Sequence, residues 1–267
     1  GVRIAACAFT NITRDHMDYH ASFDDYLHAK LRLFGEVAMA NAVAVINADA
    51  QHAGRFAAVA GKRGLRILTV GEKGESIALV SRQSRGETQL LGVRHDGKTY
   101  SLALPLVGAF QASNALVAAG LAIGLGEAPA QVFAALEHLK GAPGRREKVA
   151  FAASGAPVFV EYAYAPEACE MVLEAVRPHT GGRLHVVFGC GGDRDKGKRP
   201  IMGAVAAKLA DDIIVTDDNP RSEDPAAIRK EILALAPAAR EIADRAEAIR
   251  AGVAALKAGD SLIIAGK

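Results

Sequence analysis

Two arginines in this 267-residue sequence follow short apolar runs, in surroundings that suit the binding of an acidic small molecule. Arg194 comes after the run 184–188 and a glycine-rich cluster, and Arg221 comes after the run 212–216, at the end of Asp218-Asn219-Pro220-Arg221. An arginine presents a planar fork of donors that pairs with a carboxylate or phosphate through two hydrogen bonds. The alternative for each arginine is a surface ion pair, worth about 0–1 kcal/mol. For two arginines in this setting, a binding role and a surface ion pair are equally well supported.

Asp15, His16, Asp18 and His20 form a second polar group, whose residue types suit a metal ion. His16 and His20 are four residues apart, as on one face of a helix. Because no third nitrogen or sulfur ligand is placed with them, a closed zinc site is disfavoured, and Mg²⁺ held partly through water and phosphate fits better. A solvated polar loop is the other interpretation.

Lys30 and Asn114 are further candidate functional residues, and each lies in a predicted helix. Lys30 falls within an apolar stripe that includes Leu27 and Phe34. Such a lysine usually extends its ammonium to solvent, and the alternative is a desolvated amine with a lowered pKa that is open to carbamylation. Asn114 lies near the predicted start of its helix, where it could cap the helix or hydrogen-bond the base or sugar of a nucleotide.

The element that must position the two arginines is a βαβ unit. Strands are predicted over residues 184–188 and 212–216, with a helix over 201–209 between them. A right-handed crossover brings the carboxyl ends of both strands to one edge of a sheet, where ligands bind in open α/β folds. We therefore expect Arg194 and Arg221 to line one crevice. The cluster Gly189–Gly192 lacks the third glycine of the dinucleotide fingerprint, which argues against a nicotinamide enzyme.

The rest of the pattern predicts an α/β protein in two parts, residues 1–143 and 144–267, joined near 141–144. For the first part we predict strands over 2–9, 43–46 and 66–70, an antiparallel meander over 76–106 that turns at Asp96-Gly97, and helices over about 23–40, 112–125 and 129–139. Ser22 is the predicted cap of the first of these helices. For the second part we predict a Rossmann-like parallel sheet with strands over 158–161, 184–188, 212–216 and 261–265, and helices near 166–176, 201–209, 225–235 and 246–256.

The composition argues against several classes of protein, namely nucleic-acid-binding, membrane and secreted proteins. Half of the residues are hydrophobic and the net charge is +2, so nothing favours nucleic acid or a membrane surface as a partner. No apolar run reaches the roughly 18 residues of a membrane helix, and the first residues do not resemble a signal peptide. Three cysteines without metal spacing fit reduced thiols in a cytoplasmic protein.

Several longer motifs together resemble those of the Mur ligases, over nearly the whole chain. They are TNITRDHMDYH with AKLRLF, GAFQASN, GAPGRREKV, FGCGGDRDKGKRPIMG and DDNPR. The resemblance is strongest to the branch that adds the third residue of the peptidoglycan stem peptide. It implies a partial central ATPase domain followed by a Rossmann-like domain. It also implies an ATP-dependent amide ligase, in which an acyl phosphate formed on UDP-MurNAc-L-Ala-D-Glu is attacked by an amine.

The resemblance also implies roles for single residues. His16 and a carbamylated Lys30 would support Mg²⁺, and Asn114 and Arg145 would contact ATP, as would Glu161 and Tyr164. Arg194 and the segment Asp218-Asn219-Pro220-Arg221 would hold the incoming amino acid. The D-N-P-R form implies meso-diaminopimelate, whose second carboxylate Arg221 can pair with.

The sequence also departs from the family pattern. The phosphate-binding loop G-T-x-G-K-[ST], the amino-terminal UDP-binding domain and the final G-H-E are absent from the sequence. Where the family pattern has Asp, His and Asn, this sequence has Glu161, Tyr164 and Gln111 respectively. We therefore expect a fragment of a ligase, monomeric and inactive by itself. The alternative hypothesis is a non-catalytic nucleotide- or amino-acid-binding relative of these ligases.

Overall fold

The structure is a computed structural model that describes residues 3–15, 17–85, 88–106, 108–142, 144 and 147–266, without the side chain of Lys148. The chain forms two compact units. The first consists of Gly1–Thr13 and His20–Lys140, and the second of Arg14–Tyr19 and Gly141–Lys267. Each unit is built on a six-stranded sheet, which confirms the predicted α/β class. The division at residues 143 and 144 stays a prediction.

The sheet of the first unit is parallel at one side and antiparallel at the other. Its strands, in spatial as well as chain order, are β1 (Ile4–Phe9), β2 (Ala38–Asn47), β3 (Arg66–Gly71), β4 (Ile77–Arg85), β5 (Thr88–His95) and β6 (Lys98–Leu104). Strands β1 to β4 pair in parallel, and β4, β5 and β6 form the predicted antiparallel meander. Asp96 and Gly97, at φ 46° and 74°, make the predicted turn between β5 and β6.

Among its described residues the first unit has four α-helices, namely α1 (Phe23–Arg32), α2 (Ala53–Lys62), α3 (Ala109–Gly124) and α4 (Pro129–Leu136). Ser22 caps α1 as predicted, because its Oγ accepts a hydrogen bond from the backbone N–H of Asp25 at 3.1 Å. The predicted length of this first helix was wrong. After a π-helical turn over Leu33–Val37, the chain becomes extended at Ala38 and enters β2. Helix α2 was not predicted, and α4 ends at Leu136, before the predicted end at residue 139.

The second unit has the predicted parallel sheet with one antiparallel edge. Its elements in chain order are β7 (Glu147–Phe151), β8 (Pro157–Glu161), α5 (Pro166–Val176), β9 (Leu184–Phe188), α6 (Lys198–Leu209), β10 (Asp212–Val215), α7 (Pro225–Leu233), β11 (Arg240–Glu241), α8 (Arg245–Ala254) and β12 (Ser261–Ala265). The spatial order is β11-β10-β9-β12-β8-β7. Strand β7, which was not predicted, pairs antiparallel with β8.

Helices cover both faces of this sheet, so its central strands are apolar on both sides. Val186 and Phe188 of β9 pack in a core with residues of α5, α6 and α7, including Met202 of α6. Val187, which points to the other face, packs with Ala248 of α8. Burial of both faces explains why β9 is an uninterrupted apolar run, and it holds the carboxyl ends of β9 and β10 side by side. No helix among the described residues is long and apolar enough to cross a membrane.

Candidate active site in the second unit

A polar crevice of about 400 Å³ opens at the carboxyl ends of β9 and β10, and both predicted arginines line it. The expected proximity of Arg194 and Arg221 is therefore confirmed, although no observation tests what they bind. Asp218, Asn219 and Tyr164 also line the crevice. The topology explains this convergence, because β9 and β10 are adjacent parallel strands whose following loops leave the same edge.

Arg194 is only loosely held within the crevice. Its Nη1 donates to the backbone carbonyl oxygen of Asp193 at 3.2 Å and lies 3.6 Å from Oδ2 of Asp18. Nearly half of the side chain, 47%, is exposed. Since an exposed ion pair contributes little, an incoming carboxylate can compete for this guanidinium.

Arg221 is held more tightly, through its backbone as well as its side chain. Its Nη1 donates to the carbonyl oxygen of Gly192 at 2.7 Å, and its backbone N–H donates to Oδ1 of Asn219 at 3.3 Å. Its φ of 50° lies in the left-handed region, which is uncommon for a residue with a side chain. The side-chain bond uses one of the five N–H donors of the guanidinium, so the group is oriented and can still bind a carboxylate.

Acidic and aromatic side chains form another part of the crevice. Nε and Nη2 of Arg14 donate to the two carboxylate oxygens of Asp195, at 2.9 and 3.3 Å. The Arg14 guanidinium lowers the pKa of Asp195 through this hydrogen bond. The hydroxyl of Tyr164 donates to Oδ2 of Asp15 at 3.1 Å, and the ammonium of Lys198 lies 5.1 Å from the centre of the Tyr164 ring. The crevice thus offers both anionic and cationic groups to a zwitterionic ligand.

Glu161 and Pro220 both accept hydrogen bonds from backbone N–H groups near the crevice. Glu161 ends β8, is buried, and accepts a hydrogen bond from the backbone N–H of Tyr162 at 2.7 Å. The carbonyl oxygen of Pro220 accepts from the backbone N–H of Glu223 at 3.0 Å. Neither residue is among those that line the crevice. The predicted contacts of Glu161 and Tyr164 with a nucleotide stay predictions.

Lys30 and Asn114 belong to the first unit, and two interpretations of them were wrong. Lys30 is exposed rather than desolvated, and its ammonium lies 5.3 Å from the centre of the Tyr26 ring, one helical turn earlier. Asn114 lies in the second turn of α3 and is exposed, so it does not cap the helix, whose N-cap is Gly108. Their roles in carbamate formation and ATP binding stay predictions.

The predicted metal and phosphate contacts fall mostly outside the described residues. His16 and Arg145 are not among them, nor is Pro143 of the predicted linker. The described residues include no group of three or more His, Cys, Asp or Glu side chains that could hold a metal ion. Because the predicted Mg²⁺ site depends on His16 and on a carbamylated Lys30, it stays a prediction.

Arg199 and Glu223 form an ion pair near the crevice that was not predicted from the sequence. The side chain of Arg199 is completely buried, and its Nη1 and Nη2 donate to the two carboxylate oxygens of Glu223 at 3.0 and 2.8 Å. Hydrogen bonds from Arg199 lower the pKa of Glu223 to about 2. In the sequence Lys-Gly-Lys-Arg, Arg199 looks like any solvated basic residue, so no local signal shows that it is buried.

The two units correspond to two domains of one enzyme family. The model of the Mur ligase middle domain matches residues 1–122, and that of the Mur ligase glutamate ligase domain matches residues 144–267. The chain belongs to the Mur ligase family, as the motifs predicted.

Its relatives include a particular branch of this family. The UDP-N-acetylmuramoyl-L-alanyl-D-glutamate–2,6-diaminopimelate ligases of Caulobacter vibrioides and Brucella melitensis are 55% and 54% identical to the chain over 267 residues. Each alignment covers all of this chain and 55% of the relative. The chain thus spans about half the length of the curated relatives that it matches.

Solved structures show the same fold. A structure of a diaminopimelate ligase of this name is 32% identical, with a TM-score of 0.60 over 99% of this chain and 55% of the other. MurF from Acinetobacter baumannii gives a TM-score of 0.80 at 18% identity, covering 98% and 56% of the two chains. Folylpolyglutamate synthase from Mycobacterium tuberculosis, solved with ADP, gives 0.81 at 22% identity, covering 98% and 61%. At such low identity, the last two support the fold alone.

Proposed function

We propose that this chain is part of an ATP-dependent ligase that adds meso-diaminopimelate to UDP-MurNAc-L-Ala-D-Glu in peptidoglycan synthesis. The observation that carries the proposal is the single crevice lined by Arg194 and Arg221. Relatives that are 50–55% identical over the chain are named for this reaction. The residues 1–143 would form part of the ATP-binding domain, and 144–267 the domain that binds the amino acid.

The charges of the crevice complement those of the proposed substrate. Meso-diaminopimelate has two carboxylates and two amino groups. The guanidinium groups of Arg194 and Arg221 can each pair with a carboxylate, and Asp18 and Asp218, which also line the crevice, can accept hydrogen bonds from an ammonium. L-lysine lacks the second carboxylate, so it would leave one guanidinium without its partner. An unpaired group of this kind accounts for discrimination against a close analogue.

The proposed reaction has two steps. Transfer of the γ-phosphoryl group of ATP to the D-Glu carboxylate gives ADP and an acyl phosphate. A neutral amino group of diaminopimelate then attacks the acyl carbon, the amide bond forms, phosphate leaves and the nitrogen loses a proton. The second unit contributes by holding the amino acid through its carboxylates, so that the attacking nitrogen is oriented and the step becomes effectively intramolecular.

ATP and Mg²⁺ enter this proposal through the family rather than through the described residues. Mg²⁺ would neutralise phosphate charge during phosphoryl transfer, with His16 and a carbamylated Lys30 as the proposed supporting residues. We propose a monomer in the cytoplasm, since the reaction draws on ATP and a nucleotide-linked substrate and the three cysteines are free thiols.

The test is product formation by the full-length ligase. With ATP, Mg²⁺, UDP-MurNAc-L-Ala-D-Glu and meso-diaminopimelate, mass spectrometry should detect the UDP-tripeptide together with one ADP per amide formed. L-lysine in place of diaminopimelate should give a kcat/KM lower by about 100-fold or more, because one guanidinium is left unpaired. Absence of product, or equal use of lysine, contradicts the proposal.

A further inference from the structure

The two loops that carry the arginines are bonded directly to one another. We call residues 189–197 the first arginine loop and residues 216–224 the second. The backbone N–H of Gly192 donates to the carbonyl oxygen of Asn219 at 2.8 Å, and Arg221 returns a bond to the carbonyl oxygen of Gly192. A Cβ atom added at Gly192 would lie 1.9 Å from the carbonyl oxygen of Pro220. The two backbones are therefore in contact beside the crevice.

Side chains reinforce this contact in both directions. Asp193 of the first loop accepts from the hydroxyl of Ser222 at 2.7 Å and from its backbone N–H at 3.1 Å. Glu223 of the second loop accepts from the backbone N–H of Asp193 at 2.6 Å. Each loop thus supplies a carboxylate that accepts a hydrogen bond from a backbone N–H of the other, and we call Asp193, Ser222 and Glu223, together with Arg199, the loop clasp.

The clasp is anchored in the protein interior by Arg199, in the first turn of α6. Both of its terminal nitrogens bond to Glu223, and Nη1 also bonds to Glu231 of α7 at 3.0 Å. The Arg199 side chain has no exposed surface, whereas 15% of the Glu223 side chain is exposed. A buried, doubly bonded pair of this kind has well-defined geometry, because breaking it leaves a charge unmatched away from water.

The backbone of the clasp is strained where the arginines are attached. Asp193, immediately before Arg194, has φ 51°, and Arg221 itself has φ 50°. This conformation is uncommon for a residue with a side chain, although less so for Asp than for Arg, and it persists where hydrogen bonds hold it. The bonds to Asp193 and Arg221 described above hold the backbone in this conformation, so they fix the points at which the two arginine side chains leave their loops.

We propose that Glu223, anchored by Arg199, is a positioning residue that fixes the spacing of Arg194 and Arg221 and thereby makes the crevice selective for an amino acid with two carboxylates. Glu223 is not among the residues that line the crevice, so it acts through the loops and not by touching the substrate. The inference deepens the proposed function and depends on it.

The experiment compares Glu223→Gln with wild type in the full-length ligase, with Glu231→Gln as the matched control. Both glutamates bond to Arg199 at about the same distance, but only Glu223 bonds to the first arginine loop. For Glu223→Gln we expect KM for meso-diaminopimelate to rise about tenfold, and the kcat/KM preference over L-lysine to fall by a similar factor. KM for ATP and for the UDP-dipeptide should stay within about twofold, and Glu231→Gln should match wild type in all four values.

Each outcome decides between the alternatives. If Glu223→Gln folds and keeps the wild-type KM and selectivity, or if all its kinetic constants change together as in a general loss of structure, the positioning role is wrong. If Glu223→Gln does not fold, Ser222→Ala decides, because it removes only the hydroxyl bond to Asp193. It should raise KM for diaminopimelate about threefold, and an unchanged value contradicts the inference. A wild-type enzyme that does not use diaminopimelate contradicts the proposed function instead.

Discussion

At the scale of single residues, the crevice shows which contacts a sequence reveals and which it hides. Arg194 and Arg221 were predictable as neighbours because each follows an apolar run that forms a strand. The two strands are adjacent and parallel, so the loops that follow them leave the same edge of the sheet. The pairing of Arg199 with Glu223 was not predictable, since the residues are 24 positions apart and both are charged residues in polar surroundings. Lys30 is exposed, as is usual for a lysine that extends its ammonium from an apolar stripe to solvent, and only the alternative of a desolvated amine was wrong.

Arg221→Ala should reduce diaminopimelate addition far more than it reduces binding of the UDP-dipeptide. The variant removes the guanidinium proposed to pair with the second carboxylate, a loss on the order of 2 kcal/mol for a charge-assisted hydrogen bond. We expect KM for meso-diaminopimelate to rise at least 30-fold, about 2 kcal/mol, in steady-state assays. Titration calorimetry should give a dissociation constant for the UDP-dipeptide within about twofold of wild type. An equal loss of both affinities would refute the role of Arg221.

At the scale of secondary-structure elements, boundaries were harder to predict than elements. The first helix was extended too far because Val37, Ala38 and Met39 offer neither glycine nor proline to mark its end. The structure instead ends the helix with a π-helical turn. Strand β7 was missed because it lies at the edge of its sheet, where Val149 and Phe151 are exposed and no buried apolar run marks the strand. Tertiary context, which the local pattern does not contain, decides both cases.

Ser22→Ala should destabilise α1 by about 1 kcal/mol, because it removes the side-chain acceptor of the Asp25 N–H. Amide hydrogen exchange at neutral pH should show this loss in the protection of α1, with the sheet amides unchanged. Ser101→Ala, at an exposed position of β6, is the matched control, and its effect should stay within about 0.5 kcal/mol. Unchanged protection of α1 in Ser22→Ala would mean that the cap contributes nothing to this helix.

At the scale of the whole molecule, the second unit has polar networks at both ends of its parallel sheet. The crevice lies at the carboxyl ends of the strands. Near the amino ends, the buried ring of His185 contacts a carboxylate oxygen of Asp212 at 3.0 Å and one of Asp260 at 3.3 Å. The alternation of strands and helices predicted the sheet between these networks. It did not predict the networks, because their members come from separate segments of the chain.

The second unit should lose stability as the pH falls from about 5 towards 2. Hydrogen bonds from Ser222, Arg14 and Arg199 hold the pKa values of Asp193, Asp195 and Glu223 below their ordinary values. Lowered folded-state pKa values give stability that is present above the ordinary values and is lost as the pH falls through the lowered ones. For Glu223 the interval runs from 4.5 down to about 2.

Urea unfolding at several pH values, followed by circular dichroism, measures this loss. Glu223→Gln should give a shallower decline in the free energy of unfolding between pH 5 and 3 than wild type, because one of the titrating groups is gone. Glu231→Gln, which keeps Glu223, should retain the wild-type slope. Identical slopes in wild type and Glu223→Gln would show that this carboxylate does not contribute to acid sensitivity.

The approach of Gly192 to the Pro220 carbonyl has a consequence for how substrate preference can change over evolution. Even a single methyl group does not fit at that position, so the chain there is already at its minimum separation. For the proposed amino-acid ligand, selectivity can therefore change through the side chains that face the crevice, without any movement of these two backbones.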